Sequence, residues 1–208
     1  WREFLQPVGT LGADLRIEQG GWRGWVEVAE AAMQPREPLG TLRDITVRLA
    51  LDGQTVRFER SGAMLNGQPI AISGGLTVAD LESWTAEVRV AATNLTLVRS
   101  TDAMLRADLD LALVRTNTEA PPRIDGVVTL RNSVVMLDVR NFVGVNLERP
   151  DPRPPYFSVD ADPVGDWNLN VAVRGNRFAR VLSPAFRGTV SAETRLLGTL
   201  RHPRLLGE

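Results

Sequence analysis

Leu49–Val78 reads LALDGQTVRFERSGAMLNGQPIAISGGLTV, and its alternation decides the fold. Apolar Ile45, Val47, Leu49 and Leu51 alternate with polar neighbours, stop at Asp52-Gly53, and resume at Val56 and Phe58. Asn66-Gly67 then leads into Ile70 and Ile72. Period-2 alternation sends the apolar side chains to one side of a strand. Asp-Gly and Asn-Gly between such runs predict two-residue type I′ hairpins, whose central residues both need positive φ. The stretch is expected to be a β-meander.

The pattern extends outward in both directions. Upstream, GTLGADLRIE (Gly9–Glu18) predicts a half-buried strand, Gly20-Gly21 ends it, and Trp25, Val28 and Met33 continue on the next. Ala29–Ala32, AEAA, offers a competing short helix limited by Pro35 and Pro38. Downstream, Asp80–Trp84 predicts a turn. Strands are then expected at Val88 and Val90, at Leu95 and Leu97, at Leu109, Leu111 and Leu113, and at Ile124, Val128 and Leu130. Further ones follow at Val135, Leu137 and Val139, at Leu169, Val171 and Val173, and over Val190–Leu196. Phe178–Leu182 reads as a helical turn before Pro184. RPDPRPP, Arg149–Pro155, reads as a loop or sheet edge, because proline cannot donate to a ladder.

Composition narrows the function classes. The 208 residues can bury a core without staples, as one all-β unit or two smaller domains. Absence of cysteine removes disulfides, thiolate-ligated metals and thiol chemistry. A net charge of −1 leaves no electrostatic footprint for nucleic acid. All 24 basic residues are arginine. Guanidinium forks match phosphate oxygens, but a compositional habit of the source genome is the better explanation of the bias. No apolar run reaches the roughly 20 residues needed to span a bilayer. The chain opens at Trp1 in mid-pattern without a signal peptide, and is read as a segment of something longer.

Self-similarity turns the strands into an array. Trp84, Val88, Val90, Asn94, the run at Leu109 and Pro122-Arg123-Ile124-Asp125-Gly126 are echoed by a second series. It consists of Trp167, Val171, Val173, Asn176, the run at Val190 and Pro203-Arg204-Leu205-Leu206-Gly207. The tryptophans, asparagines and prolines are offset by 83, 82 and 81 positions. Residues 84–126 and 167–207 are thus expected repeat copies, with a partial copy at 9–28, all within one β-repeat segment, 1–208. A unit of alternating strands buries its apolar side only by stacking on neighbours. The expectation is an elongated, curved antiparallel sheet, an open β-solenoid-like trough with an apolar concave face.

Residues that could carry chemistry are few. His202 stands alone and reads as a loop histidine at a strand junction, without the companion a catalytic triad needs. Asp108 and Asp110 share a strand face and could form a carboxylate pair or a hard-cation site, although the buried face is that of Leu109, Leu111 and Leu113. No catalytic, metal or cofactor site is expected. Trp84 and Trp167 read as core anchors. Trp22 and Trp25 could present indoles to a glycan or protein, which would make the chain a binding or spacer module of a cell-surface β-repeat protein.

Three phrases carry a family resemblance: Ala107-Asp108-Leu109-Asp110-Leu111, Met64-Leu65-Asn66-Gly67-Gln68-Pro69-Ile70 with Ser73-Gly74-Gly75-Leu76, and the tail Leu197-Gly198-Thr199-Leu200-Arg201-His202-Pro203-Arg204-Leu205-Leu206-Gly207. Taken together in their chain order, from about Gly9 onward, they resemble the repeat region of the AsmA-like family, most closely its translocation and assembly module branch, TamB. The resemblance implies a non-enzymatic, periplasm-spanning protein of the diderm cell envelope, anchored in the inner membrane, that shields phospholipid acyl chains inside a β-taco and serves outer-membrane biogenesis. It also implies an outer-membrane assembly barrel as partner, engaged through a C-terminal domain expected to lie outside this segment. Laid on the alternation, it makes Leu49, Leu51, Val56, Phe58, Ile70, Ile72, Val88, Val90, Leu109, Leu111, Leu113, Val171 and Val173 the expected wall of a lipid groove, with RPDPRPP an insertion at its rim.

Overall fold

A computed structural model describes residues 8–18, 21–33, 41–80, 83–100, 102–136, 159, 162–183 and 186–207. Among the described residues eleven strands form one sheet: β1 Val8–Glu18, β2 Gly21–Met33, β3 Leu42–Gly53, β4 Thr55–Leu65, β5 Gln68–Val78, β6 Trp84–Arg99, β7 Ala103–Arg115, β8 Arg123–Met136, β9 Asn168–Leu182, β10 Arg187–Thr199 and β11 Pro203–Gly207. Their order in space is their order in the chain, with β1 and β11 at the edges, so the sheet is open rather than a barrel. Among the described residues the only helical turn is Val164–Asp166.

Neighbouring strands are antiparallel except β8 and β9, which run parallel, with Ile124 opposite Leu169 and Val128 opposite Val173. The expectation of a wholly antiparallel sheet is corrected at this pair. A parallel neighbour requires a crossover of a dozen or more residues, and the stretch between Met136 and Asn168 supplies that length. The expected copies 84–126 and 167–207 fall on β6 to the start of β8 and on β9 to β11.

Local expectations fare unevenly. Asn66 and Gly67, at φ 51° and 79°, form the expected type I′ turn between β4 and β5. At the other hairpin Asp52 pairs with Thr55, so the central residues are Gly53 and Gln54, not Asp52 and Gly53. Only Gly53 has positive φ, 63°, the mark of a type II′ turn. Asp52 stays in the ladder, its carboxylate holding Arg23 at 2.9 Å.

Ala29–Ala32 is strand, not helix, because β1 and β3 pair with β2 from both sides. Phe178–Leu182 likewise belongs to β9, where Ala179 faces Ser133 and Val190. The separate strands expected at Val88 and Leu95 are one, β6, and those at Val128 and Val135 are one, β8. Leu137, Val139, Pro35, Pro38, Pro184 and RPDPRPP lie outside the described residues.

What looks like a break inside these long strands is a bulge. Register shifts occur in β2 between Val28 and Ala31, in β3 between Arg43 and Thr46, and in β4 between Phe58 and Ser61. They recur in β6 between Ala92 and Leu95, in β8 between Thr129 and Ser133, and in β10 between Val190 and Ala192. Glu30, Asp44, Asn94, Asn132 and Arg177 take left-handed φ of 55°, 51°, 53°, 39° and 46° at these levels. Each bulge bends its strand and adds twist. In β3, β6 and β8 they lie just beyond the row of Ala63, Ile70, Ala92, Leu109 and Val128 and crease the sheet there, whereas the β4 bulge falls nearer the sheet's middle, between Phe58 and Ser61.

The crease is also where the sheet is driest. Ala31, Leu95 and Ser133 directly follow Glu30, Asn94 and Asn132, and all three are buried. Leu65, Ala92 and Leu95 form the core cluster, with Leu42, Ile70, Leu97 and Leu109 packed against it. Side chains from adjacent strands accept amides along this line. Ser61 Oγ accepts the Arg48 N–H at 3.2 Å, Asp108 that of Asn94 at 2.9 Å, Ser133 that of Arg106 at 3.0 Å and Ser191 that of Arg177 at 2.7 Å. A buried amide left without a partner costs about 1–3 kcal/mol, which gives weight to the part-buried contacts of Ser61 and Ser133, whereas those of Asp108 and Ser191 are exposed.

Candidate functional site

Strand pairing brings the thirteen expected groove positions into four rows on one side of the sheet. Gly24, Leu51, Val56, Leu76 and Ala86 stand opposite one another in turn. The next row runs Val26, Leu49, Phe58, Gly74, Val88, Leu113, Ile124 and Leu169. A third runs Ser61, Ile72, Val90, Leu111, Gly126, Val171 and Leu196. The fourth contains Ala63, Ile70, Ala92, Leu109, Val128 and Val173. Val26, Leu76, Ile124, Val128, Leu169 and Leu196 belong to the same rows although they were not among the expected wall residues. Their own alternation carried the signal.

Exposure divides the thirteen. Val171 is buried at 4% exposure, whereas the other twelve are half-buried. Ile70 and Leu109 also touch the core cluster. Glycines shape the rows where two neighbours need room. Gly74 sits between Phe58 and Val88 at φ 110°, and a Cβ there would lie 2.1 Å from the Glu87 carbonyl oxygen.

The opposite face is charged and self-paired. Arg89 grips Asp110 through two hydrogen bonds of 2.7 Å. Asp125 accepts from Arg123 at 2.7 Å and from Asn170 at 2.9 Å, and Arg195 donates to Asn170 Oδ1 at 2.9 Å. The Arg89 guanidinium holds the Asp110 carboxyl below its ordinary range. At Asp125 burial pushes the other way, but the bonds from Asn170 and Arg123 outweigh it and the net shift is also downward. Asp108 pairs with Arg131 besides capping Asn94. The two aspartates on β7 are thus engaged by separate arginines, and among the described residues no cluster of His, Asp or Glu could hold a metal. His202 is exposed in the β10–β11 turn, its N–H donating to Thr199 Oγ1 at 3.2 Å.

The tryptophans separate by position. Trp22 faces Ile17 and Gly53 while Trp25 faces Asp14 and Ala50, three residues apart on an unbulged stretch and so on opposite faces. A shared indole platform of Trp22 and Trp25 is thereby corrected. Trp25 instead lies under Arg48, 4.6 Å from the ring centroid. Trp84 and Trp167 meet at 6.4 Å, and the Arg115 guanidinium covers Trp84 at 4.4 Å.

Residues 40–140 match the family model described as TamB C-terminal domain. This match supports assignment of the chain to the TamB/AsmA-like family. No curated protein and no solved structure matches it. The TamB match spans β3 to β8, the strands that hold most of the rows. It also corrects the expectation that the family's C-terminal domain lies wholly outside this segment. The TamB family is a non-enzymatic transport and assembly family of the bacterial envelope, linked to outer-membrane biogenesis. Among the described residues no helix is long and apolar enough to cross a membrane.

Proposed function

We propose that this chain is a non-catalytic section of a periplasmic bridge, anchored in the inner membrane by other parts of the protein, that shields phospholipid acyl chains passing between the two membranes. The observation that carries the reading is the alignment of Leu49, Phe58, Val88 and Leu113, and of Ile72, Val90 and Leu111, in continuous rows of an open sheet. Removing a methylene from water is worth about 0.8 kcal/mol wherever along such a row it happens. A surface of Val, Leu, Ile and Phe therefore holds a chain without fixing its position, and the headgroup stays in water. Because residues 40–140 match the C-terminal domain, engagement of an outer-membrane assembly barrel is part of the same reading.

The test is photocrosslinking in cells from benzoylphenylalanine placed at Phe58, Ile72 or Leu111, with Arg57 on the opposite face as control. Phospholipid adducts at the three apolar positions and none at Arg57 are expected. Equal yields at all four sites overturn the reading.

A further inference from the structure

The β4–β5 turn ends level with the start of β3 and short of the end of β6, so it forms the floor of a notch in one rim of the sheet. Three hydrogen bonds brace the floor. Asn66 donates its N–H to the Thr41 carbonyl at 3.0 Å, accepts the Thr41 N–H on Oδ1 at 3.2 Å, and donates from Nδ2 to the Thr96 carbonyl at 2.8 Å. The notch encloses about 390 Å³ and is lined by Thr41, Arg43, Asp44, Asn66 and Arg99 among others. A phosphate group fits this volume several times over, leaving room for a substituent.

Its lining carries more positive than negative charge. Arg43 and Arg99, both exposed, form no ion pair among the described residues, and they line the same cavity. Asp44 is the single carboxylate there, held in a left-handed conformation by the bulge, so the lining keeps a positive excess. Two arginines, a threonine hydroxyl and a braced amide in one lining are donors of the kind a tetrahedral oxyanion accepts through forked, charge-assisted hydrogen bonds.

We propose that this rim notch binds a phosphate group through Arg43 and Arg99, with Thr41 as a further donor and Asp44 limiting affinity. If lipids pass along the apolar rows, the source is a phospholipid headgroup at the rim; this extension rests on the proposed function, while phosphate binding itself does not. In the lipid case the arginines supply the polar contact that the apolar rows lack.

The experiment uses the whole 208-residue chain, its folding checked by circular dichroism, and calorimetric titration with two probes: glycerol 3-phosphate, and dihexanoyl phosphatidylglycerol below its micelle concentration. The variant R43Q/R99Q is expected to weaken both by about tenfold or more, and D44N to strengthen both. Tighter binding of the lipid than of glycerol 3-phosphate assigns the headgroup as ligand; equal affinities assign free phosphate. Unchanged affinities in R43Q/R99Q overturn the proposal. Failure of acyl crosslinking at Phe58 with phosphate binding intact removes the lipid bridge and keeps the notch, so the two readings fall separately.

Discussion

The indole rings of Trp84 and Trp167 lie 6.4 Å apart at an angle of 55°, although β7 and β8 separate β6, which carries Trp84, from β9, which Trp167 directly precedes. Three strand spacings of about 4.8 Å would hold their backbones some 14 Å apart in a flat sheet. The rings therefore lean toward each other over the ends of β7 and β8, where Arg115 covers Trp84 and is itself fixed by the Ala120 carbonyl at 3.1 Å.

Tilted aromatic pairs are worth about 0.5–1.5 kcal/mol beyond their buried area. In urea unfolding, Trp84→Ala and Trp167→Ala should each destabilise the chain. The double variant should lose about 1 kcal/mol less than the sum of the two. Strict additivity would show that the rings pack independently.

Ser133 is the most demanding residue of the crease. Its hydroxyl accepts the Arg106 N–H and donates to the Arg131 carbonyl at 2.9 Å, and the side chain is 1% exposed. Ser133→Ala orphans both backbone groups and should cost about 1–3 kcal/mol. Thr10→Ala, on exposed β1, should stay within about 0.5 kcal/mol in the same denaturation assay.

Two glycines with positive φ should respond differently to alanine. At Gly74 the new Cβ meets the Glu87 carbonyl at 2.1 Å, whereas at Gly67 nothing lies within 4 Å. Gly67→Ala should cost about 1–2 kcal/mol, the strain of a left-handed residue alone. Gly74→Ala should exceed that clearly, because β5 and β6 must also move apart. Thermal melts of the two variants compare them directly.

Acid should unpick the charged face. The carboxyls of Asp110 and Asp125 are both held below their ordinary range, Asp110 through its bond to Arg89 and Asp125 through bonds that overcome its burial. Groups with a depressed folded value stabilise the fold above the unfolded value, near 3.9, and lose that contribution as pH falls through the folded one. Stability should thus decline below about pH 4. In carbon-detected titrations Asp110 should have a midpoint below that of an ordinary aspartate, and Arg89→Gln should return it upward and flatten the acid limb of the stability profile.

Much of the fold was legible because a strand's side chains alternate with a period that any reader of the sequence can count. The Leu49–Val78 meander, the Asn66-Gly67 turn and the apolar parity of β3 to β9 all follow from it. The bulges did not. An extra residue in a strand looks in sequence like the end of one strand and the start of another, which is why the alternation splits β6 and β8 each into two. The AEAA run and Phe178–Leu182 show the related limit: their local preference was overruled by partners on both sides.

By itself the sequence determined which residues share a face within each strand, where two-residue turns can form, and which family phrases occur, since these depend on neighbours a few positions away. Only the tertiary structure decided which strands lie side by side. Pairing across the sheet made β8 and β9 parallel, put Trp22 and Trp25 on opposite faces, aligned the bulges into a crease and brought Arg43 and Arg99 to one notch. Those relations depend on hydrogen bonding between segments far apart in the chain, and no local pattern encodes them.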